Sequence, residues 1–278
     1  MSTIHDVLAR PSPESDLGWA SHGPNVYSES WLPVSEWTPW VDFTIQNLTS
    51  TYAQVLNAHW SGGDPQSIGI SGRFDLLVPD ERSLVIFVGR YLWPFVNGAL
   101  ERAASIINLG QEPLGLGPGS FGQNNALPDW GLFSVPTPAS QEKLDILLPG
   151  LTKLSTKWYP EMRLSEHESV RSEWASPLSQ VSTCAALSDY RYGFLITDEA
   201  LVVLRFTKKR VDASGTQSGD DNDPAGVVNV ELLPPEYAVI PMSASGKDNL
   251  TVKLAVFCLC LMASGGHDKL DYGYPPLR

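Results

Sequence analysis

The sequence predicts a single α/β (α+β) domain in which helices flank a central mixed β-sheet. The chain has 278 residues with 42% hydrophobic content, and it shows neither an internal repeat nor an obvious linker between two cores. Dense β-branched and aromatic residues surround an acidic turn at 192–206, which predicts a β-hairpin. Leucine and phenylalanine repeat at helical spacing across 250–261, which predicts a helix. Strands and helices are therefore expected within one core.

The first 40 residues predict an irregular arm in front of the main domain, which spans 41–278. They are rich in proline, serine and tryptophan, and the tryptophans follow neither helical nor strand spacing. We expect the arm to lie against the domain, because several exposed tryptophan rings would cost free energy. It could also cover a pocket. Two helices are predicted to follow, one at 41–60 and one at 84–109 that Pro94 ends or kinks.

The middle of the chain predicts two strands, which we expect to pair in an antiparallel sense. A glycine-rich stretch at 110–123 is predicted to be a mobile loop, since a phosphate-binding loop needs a strand before it and a helix after it. The first strand covers 130–135. The second covers 144–150 and continues toward Lys153.

The second half of the chain alternates helices and strands. Residues 172–187 predict a helix entered through Pro177, and the hairpin at 192–206 follows it. The polar segment 208–226, with its acidic run, predicts a flexible, disordered insertion. A further strand is expected at 228–233, an extended edge at 237–241 and a final helix at 249–264 that a glycine pair ends.

Asp129 and Lys153 are the main candidate catalytic residues because of their places on the two central strands. Asp129 follows Pro128 at the start of the first strand, and Lys153 lies at the end of the second. Antiparallel pairing brings both side chains to the same end of the sheet. Leu151 stands two positions before the lysine, where an acid would complete a divalent-cation site, because Mg²⁺ prefers carboxylate oxygens and water.

This pattern resembles the metal site of the PD-(D/E)XK nucleases, whose fold is restriction-endonuclease-like. Pro128-Asp129 resembles the PD motif, and Leu151-Thr152-Lys153 resembles the (D/E)-x-K motif with its acid replaced. The stretch 128–263 also resembles a family of uncharacterised fungal proteins. The shared pieces are PDW at 128–130, PG-x-x-K at 149–153, KW at 157–158, EW at 173–174, PL-x-Q at 177–180, the hairpin at 191–205 and LTV-x-LA at 250–255.

That family is in turn similar to RecB-type PD-(D/E)XK nucleases, whose site helix carries Q-x-x-x-Y. Gln180 matches the glutamine, but Cys184 stands at the tyrosine position. An early helix of such nucleases often supplies another acid, for which Glu101 is the candidate. The resemblance thus implies a nuclease-like site that keeps Asp129, Lys153 and Gln180 but lacks one metal ligand. We therefore expect no bound metal and no other cofactor.

Three functions stay open at this point. The first is a metal-independent small-molecule enzyme of fungal secondary metabolism, an isomerase or a Diels–Alderase-like cyclase, which holds an apolar substrate in the former nuclease cleft. Its catalytic residues would be Asp129, Lys153 and Gln180, with the lysine polarising a carbonyl group. The residues expected to contact the substrate are Leu151, Trp130, Trp158, Tyr192, Trp174 and Glu101. The second function is a residual Mg²⁺-dependent nuclease or nucleic-acid-binding protein, and the third is a non-catalytic interaction protein.

Composition favours the first function over the second. The formal net charge is −12, whereas nucleic-acid binding relies on a basic surface. A local basic patch at Lys153, Lys157 and Arg163 is the exception. The three cysteines have no zinc spacing, and the chain starts without a signal region, which favours reduced thiols in a cytoplasmic protein. We expect a small apolar molecule as the partner, with no nucleic acid or membrane, and the sequence indicates no oligomeric state.

Overall fold

A seven-stranded mixed β-sheet forms the centre of the protein. The computed structural model describes residues 2–61, 72–107, 113–119, 128–134, 146–210, 231–265, 269–274 and 277. The strands are β1 Thr38–Pro39, β2 Leu114–Pro118, β3 Trp130–Ser134, β4 Ile146–Thr152, β5 Tyr192–Ile196, β6 Ala200–Arg205 and β7 Glu236–Pro241. Seven α-helices occur in this part of the chain: α1 Ile4–Leu8, α2 Ile45–Thr51, α3 Ala53–Leu56, α4 Glu81–Tyr91, α5 Trp93–Ala104, α6 Glu168–Leu187 and α7 Val252–Ser264. The predicted mixed α/β class is confirmed.

The strand order is β1-β7-β6-β5-β4-β3-β2. Strands β4 and β5 are parallel, as are β1 and β7, and the other neighbouring pairs are antiparallel. The parallel pair requires a crossover, which α6 supplies. The predicted antiparallel pairing of the two central strands is confirmed, with Trp130 opposite Gly150. The predicted β5–β6 hairpin is confirmed as well.

Helices cover both faces of the sheet. On one face, α4, α5 and α7 pack with the inward side chains of β3 to β7 into the larger core. On the other face, α6 packs with Leu151, Leu195 and Val202 into a smaller core. The close approach of β4 and β5 needs a glycine, because a Cβ atom at Gly150 would lie 2.1 Å from the ring of Phe194. The glycine before Leu151 therefore has a packing role.

The first 40 residues are more regular than the arm that we expected. They contain α1, which begins with a capping box between Thr3 and Asp6, and the short strand β1. Trp31, Trp37 and Trp40 are buried against the domain, whereas Trp19 is 91% exposed. The arm is hydrogen-bonded along α6, since Leu32 N–H donates to Thr183 Oγ1. These three buried tryptophans therefore pack against the domain, although their spacing in the sequence is irregular.

Several element boundaries differ from the prediction. The helix expected at 41–60 is split into α2 and α3, and the break expected at Pro94 falls at Leu92, where α4 ends and α5 starts. The mobile loop expected at 110–123 is wrong for 114–118, which forms β2, because Leu114 and Leu116 alternate with glycines and turn inward. The insertion at 208–226 lies largely outside the described residues, as does the start of the strand expected at 228–233. Residue Leu232 forms only an isolated bridge with Lys208.

Within the described part of the chain, no helix is by itself long and apolar enough to cross a membrane. The bent pair of α4 and α5, which turns by 43°, meets that test only when both helices are taken together, by length and composition.

Candidate functional site

The carboxylate of Asp129 is held at the start of β3 by the neighbouring strand. The backbone N–H of Thr152, the last residue of β4, donates to Asp129 Oδ2 at 2.7 Å. The backbone N–H of Gly119 donates to the carbonyl oxygen of Asp129 at 2.8 Å. A further bond joins the two strands, because Trp130 Nε1 donates to Thr152 Oγ1 at 2.8 Å. The backbone and the side chain of Asp129 are thus both fixed.

Lys153 follows β4 directly and is buried. Its backbone N–H donates to the carbonyl oxygen of Ile196 at 3.0 Å, which continues the β4–β5 pairing. Its Nζ lies 3.5 Å from Glu81 Oε2, while Lys157 Nζ lies 3.4 Å from Glu81 Oε1. The predicted pair of Asp129 and Lys153 therefore lies at one end of neighbouring strands. Glu81 from α4 and Lys157 complete a group of four charged residues there.

The protein environment shifts the pKa of Asp129 upward. The carboxylate can be reached by solvent, but the surrounding protein removes part of its hydration, and this desolvation is the largest cause of the raised pKa. The hydrogen bond from Thr152 and the charge of Lys153 act in the opposite direction, and the negative charge of Glu81 adds to the increase. Asp129 is therefore a carboxyl group whose proton affinity is greater than that of an ordinary aspartate.

Cys184 on α6 is a neighbour of this carboxylate. Burial raises the pKa of its thiol to about 12, and the negative charge of Asp129 contributes to the shift. A thiol with such a pKa stays protonated at neutral pH and is a poor nucleophile. Trp31 from the N-terminal arm packs on Cys184. Trp31 and Cys184 are both buried and form a small apolar contact between the arm and α6.

Leu151 does not enter the site. Its side chain is 1% exposed and packs with Trp158, Trp174 and Leu178 under α6. No group of three or more His, Cys, Asp or Glu side chains that could hold a metal ion occurs among the described residues. The side chains present therefore do not fit the metal site that the nuclease resemblance implies, because a hydrocarbon stands where a second carboxylate is needed.

The structure places the four aromatic residues expected to contact a substrate in the core. Trp130 packs edge-on against Trp93 with ring centroids 5.3 Å apart. Trp37 from the arm contacts Trp158 and Trp174, with ring centroids 6.4 and 5.1 Å away. Tyr192 is buried and stacks with Trp40. These rings contact other side chains because large aromatic groups gain most free energy when they are fully buried.

Gln180 and Glu101 have different positions relative to the site. Gln180 is half-buried on α6, the helix that carries Cys184. Glu101 is exposed on α5. The acid that contacts Lys153 is instead Glu81, at the first position of α4, which the sequence reasoning missed. The signal was present, since Pro79-Asp80-Glu81 combines a helix cap with an acid just before an apolar helical pattern.

The N-terminal arm borders the site. Ser21 N–H donates to the carbonyl oxygen of Pro79 at 3.0 Å, and Thr156 Oγ1 donates to the carbonyl oxygen of Ser21 at 3.1 Å. Asn25 Nδ2 donates to the carbonyl oxygen of Lys157 at 3.4 Å. The arm therefore joins the loop before α4 to the loop after β4, and these two loops carry Glu81 and Lys157.

Two surface cavities occur elsewhere on the described residues. One, of about 470 Å³, lies beside β7 and the segment 243–250. The other, of about 370 Å³, lies between Trp19 and Phe74, with Arg73 at its edge. Neither is lined by Asp129 or Lys153.

Comparisons of this chain with protein-family models, with curated proteins and with solved structures give no match. The site is therefore interpreted from its own geometry.

Proposed function

We propose that this chain has a PD-(D/E)XK-like framework that has lost its metal site, and that Asp129 and Lys153 now catalyse the isomerisation or cyclisation of a small, largely apolar molecule. Three features support the framework, and a fourth supports the loss of its metal site. Antiparallel strands carry the aspartate and the lysine at one end of the sheet. An acid from an earlier helix contacts the lysine, although it is Glu81 and not Glu101. A following helix carries Gln180, and Leu151 replaces the second acid.

The observation that carries the proposal is the state of Asp129. Asp129 is an exposed residue, its carboxylate is oriented by a hydrogen bond from Thr152, and its pKa is raised. A base whose pKa is closer to neutral is better matched to proton transfer under physiological conditions. The ammonium group of Lys153 is a hydrogen-bond donor for an oxygen on which negative charge develops. This combination supports acid–base chemistry that needs no metal ligand at position 151.

The chemistry follows from these two groups. In an isomerisation, Asp129 removes a proton from a carbon next to a carbonyl group, and Lys153 stabilises the resulting enolate oxygen. The same carboxylic acid returns the proton to another carbon, so that the composition of the substrate is unchanged. In a cyclisation, the lysine polarises the carbonyl group while the protein holds the substrate in its reactive shape. An origin in fungal secondary metabolism and a substrate of Diels–Alder type remain part of the proposal through the sequence resemblance.

The proposal is tested by a search for products of unchanged mass. Purified protein is incubated in EDTA with a library of apolar carbonyl compounds that contain conjugated double bonds, and products are separated by chromatography with mass detection. We expect an isobaric product that Asp129→Asn and Lys153→Met lose. The matched control is Asp189→Asn, which removes a carboxylate from a surface pair with Lys208. Equal turnover in the wild-type protein and in Asp129→Asn would contradict the proposal.

A residual nuclease is the second candidate, because the contact between Glu81 and Lys153 favours it. Glu81 and Asp129 give two carboxylates near Lys153, and their charges interact. The net charge of −12 and the buried Leu151 oppose this function. Supercoiled plasmid and single-stranded RNA are therefore incubated with the protein in Mg²⁺ or Mn²⁺. We expect no cleavage above that of Asp129→Asn. Cleavage that both Asp129→Asn and Glu81→Gln abolish would replace the first proposal with the second.

A further inference from the structure

We propose that Lys153 and Lys157 form a cradle for the carboxylate group of the substrate, and that Glu81 occupies this cradle when the substrate is absent. This inference rests on the proposed function and narrows its substrate class to otherwise apolar carboxylic acids. Glu81 then acts as a displaceable internal anion.

The two oxygens of Glu81 face two different ammonium groups. Oε2 lies 3.5 Å from Lys153 Nζ, and Oε1 lies 3.4 Å from Lys157 Nζ. The side chains of the two lysines are only 8% and 17% exposed, whereas that of Glu81 is 32% exposed. The cradle is thus enclosed on the lysine side and open on the glutamate side. A planar carboxylate is the group that such a two-point arrangement recognises.

The backbone fixes the spacing of the two lysines. Lys153 N–H donates to the carbonyl oxygen of Ile196, and the N–H groups of Lys157 and Trp158 both donate to that of Leu154 at 2.9 Å. The two bonds to Leu154 close a turn that directly follows Lys153 and contains Lys157. Asn25 Nδ2 donates to the carbonyl oxygen of Lys157 from the arm. The backbone positions of both lysines are therefore fixed by hydrogen bonds that do not involve Glu81.

Glu81 can leave the cradle without loss of its helix. Its distances to both ammonium nitrogens exceed the 2.7–2.9 Å or so of a good charge-assisted hydrogen bond. The start of α4 is capped by Asp80, whose Oδ1 accepts from Ser83 N–H at 2.7 Å and from Ser83 Oγ at 2.6 Å. Glu81 is therefore a partly exposed side chain whose carboxylate makes only long contacts with the two ammonium groups, and only this side chain has to rotate.

The charge of the site selects the ligand. Glu81 is the carboxylate that contacts both lysines, while Asp129 interacts with Lys153 and Asp80 with Lys157 at longer range. A carboxylate that displaces Glu81 keeps one negative charge between the partly buried ammonium groups, which need a counter-charge. A neutral ligand in the same place would remove the anion that both ammonium groups contact. Each ammonium group has three N–H donors, so Lys153 can bind the carboxylate and still donate to a reacting oxygen.

The position of the cradle also determines which substrate atoms lie near Asp129. Asp129 accepts a hydrogen bond from the backbone N–H of Thr152, the residue before Lys153, so the candidate base lies beside the cradle. A substrate anchored by its carboxylate at the two lysines would therefore present the adjoining carbon atoms to Asp129. Asp129 then acts on the part of the substrate next to the anchored group.

The experiment measures binding of benzoate, with benzamide as the neutral isostere, by NMR titration of the full chain. Glu81→Gln removes the competing internal carboxylate, and we expect it to bind benzoate about tenfold more tightly than wild type, a change of about 1.4 kcal/mol. Benzamide should bind no better to the variant. Lys157→Met in the Glu81→Gln protein should abolish the gain. The matched control is Glu231→Gln, which removes a carboxylate from a surface pair with Lys209.

Two results would overturn the cradle: benzoate affinity equal in wild type and Glu81→Gln, or an equal gain for benzamide. If Glu81→Gln fails to fold, the wild-type protein is titrated with high concentrations of benzoate and of benzamide. The cradle predicts that benzoate shifts the NMR signals of Lys157 and that benzamide does not. The readout needs no turnover. Failure of the acid–base proposal, seen as activity that survives in Asp129→Asn, is therefore separate from failure of the cradle, seen as loss of the benzoate effect.

Discussion

The backbone N–H of Thr152 lies 2.7 Å from Oδ2 of Asp129, so the strand that leads to Lys153 also orients the candidate base. A backbone amide does not titrate near neutral pH, and it can donate to either oxygen of a protonated or charged carboxyl group. Thr152 is itself fixed by the hydrogen bond that its Oγ1 accepts from Trp130. The position of Asp129 is therefore set by hydrogen bonds between β3 and β4.

Asp129→Asn should lower the proposed activity by at least about 100-fold while the protein stays folded. Asparagine keeps an oxygen that accepts from Thr152, but it cannot carry a proton between substrate atoms. Loss of activity is measured on the isobaric product. The far-UV circular dichroism spectrum and the melting temperature confirm that the variant is folded.

The same variant should change the pH dependence of stability. Because the folded pKa of Asp129 is raised above 3.8, its contribution to stability is fully present at lower pH and is lost as pH rises through the folded value. Asp129→Asn should therefore be more stable than wild type at pH 7, and the difference should shrink toward pH 4. Urea unfolding at both pH values measures it. A difference that grows on acidification would contradict the raised pKa.

Leu151→Asp should not recreate a metal site. The leucine is packed under α6, so an aspartate there would bury an unpaired charge and lower the free energy of unfolding by at least about 3 kcal/mol. Leu195 is the register partner of Leu151 on β5 and lies in the same core, which makes Leu195→Asp the matched control. Urea unfolding is compared with and without Mg²⁺. A gain of stability in Mg²⁺ for Leu151→Asp alone would show that a metal can still bind there.

The central part of the site could be predicted from the sequence. Asp129 and Lys153 lie at the ends of two strands with clear patterns, and a short connection makes antiparallel pairing the expected arrangement. That Leu151 cannot bind a hard cation followed from side-chain chemistry alone, but its packing under α6, away from the expected contact with a substrate, was not predicted. Gly150 belongs to the PG-x-x-K piece of the resemblance. Only the structure reveals why a glycine is needed there, because a side chain would collide with Phe194 across the β4–β5 pair.

The remaining parts depend on tertiary contacts that no local pattern encodes. Glu81 reaches Lys153 from a helix far away in the sequence, whereas the family resemblance had led to Glu101 as the candidate. Four aromatic residues were expected to contact a substrate. Two of them, Trp158 and Trp174, contact Trp37 of the arm instead. Irregular segments of this kind carry no periodicity from which their packing could be inferred.

Arg205→Lys should destabilise the fold by about 2 kcal/mol, because a lysine cannot reproduce the planar contacts of the guanidinium group. That group lies between the rings of Trp40 and Tyr274, each 4.5 Å from it, and its Nε donates to Glu236 Oε2 at 2.7 Å. Thermal and urea unfolding measure the loss. The matched control is Arg210→Lys, where an exposed arginine lies 5.9 Å from the ring of Tyr272 and a change below about 0.5 kcal/mol is expected. Equal effects at the two positions would contradict the stacking role.

Lys253→Met should stabilise the protein at neutral pH. Lys253 is buried on α7, where its Nζ donates to the carbonyl oxygen of Pro11 at 3.2 Å and lies 4.6 Å from the ring of Phe95. Burial, with a smaller effect of the Arg10 charge, lowers its pKa from 10.5 to about 8. That difference corresponds to roughly 3 kcal/mol of free energy against the charged form. Methionine fills a similar volume without the charge, and the lost hydrogen bond reduces the net gain to about 2 kcal/mol.

The sign of the pH dependence distinguishes this cause from simple packing. Between pH 8 and 10.5 the unfolded chain binds the proton of Lys253 while the folded protein releases it, so the stability of wild type rises with pH across this window. The advantage of Lys253→Met should therefore be largest at pH 7 and shrink by pH 10. Urea unfolding of both proteins over this range gives the difference directly and cancels the titration of other groups. Lys247→Met, which removes a surface partner of Asp6, is the control and should show no such trend. An advantage that stays constant with pH would mean that Lys253 has the same pKa in the folded and the unfolded protein, so that burial does not shift it.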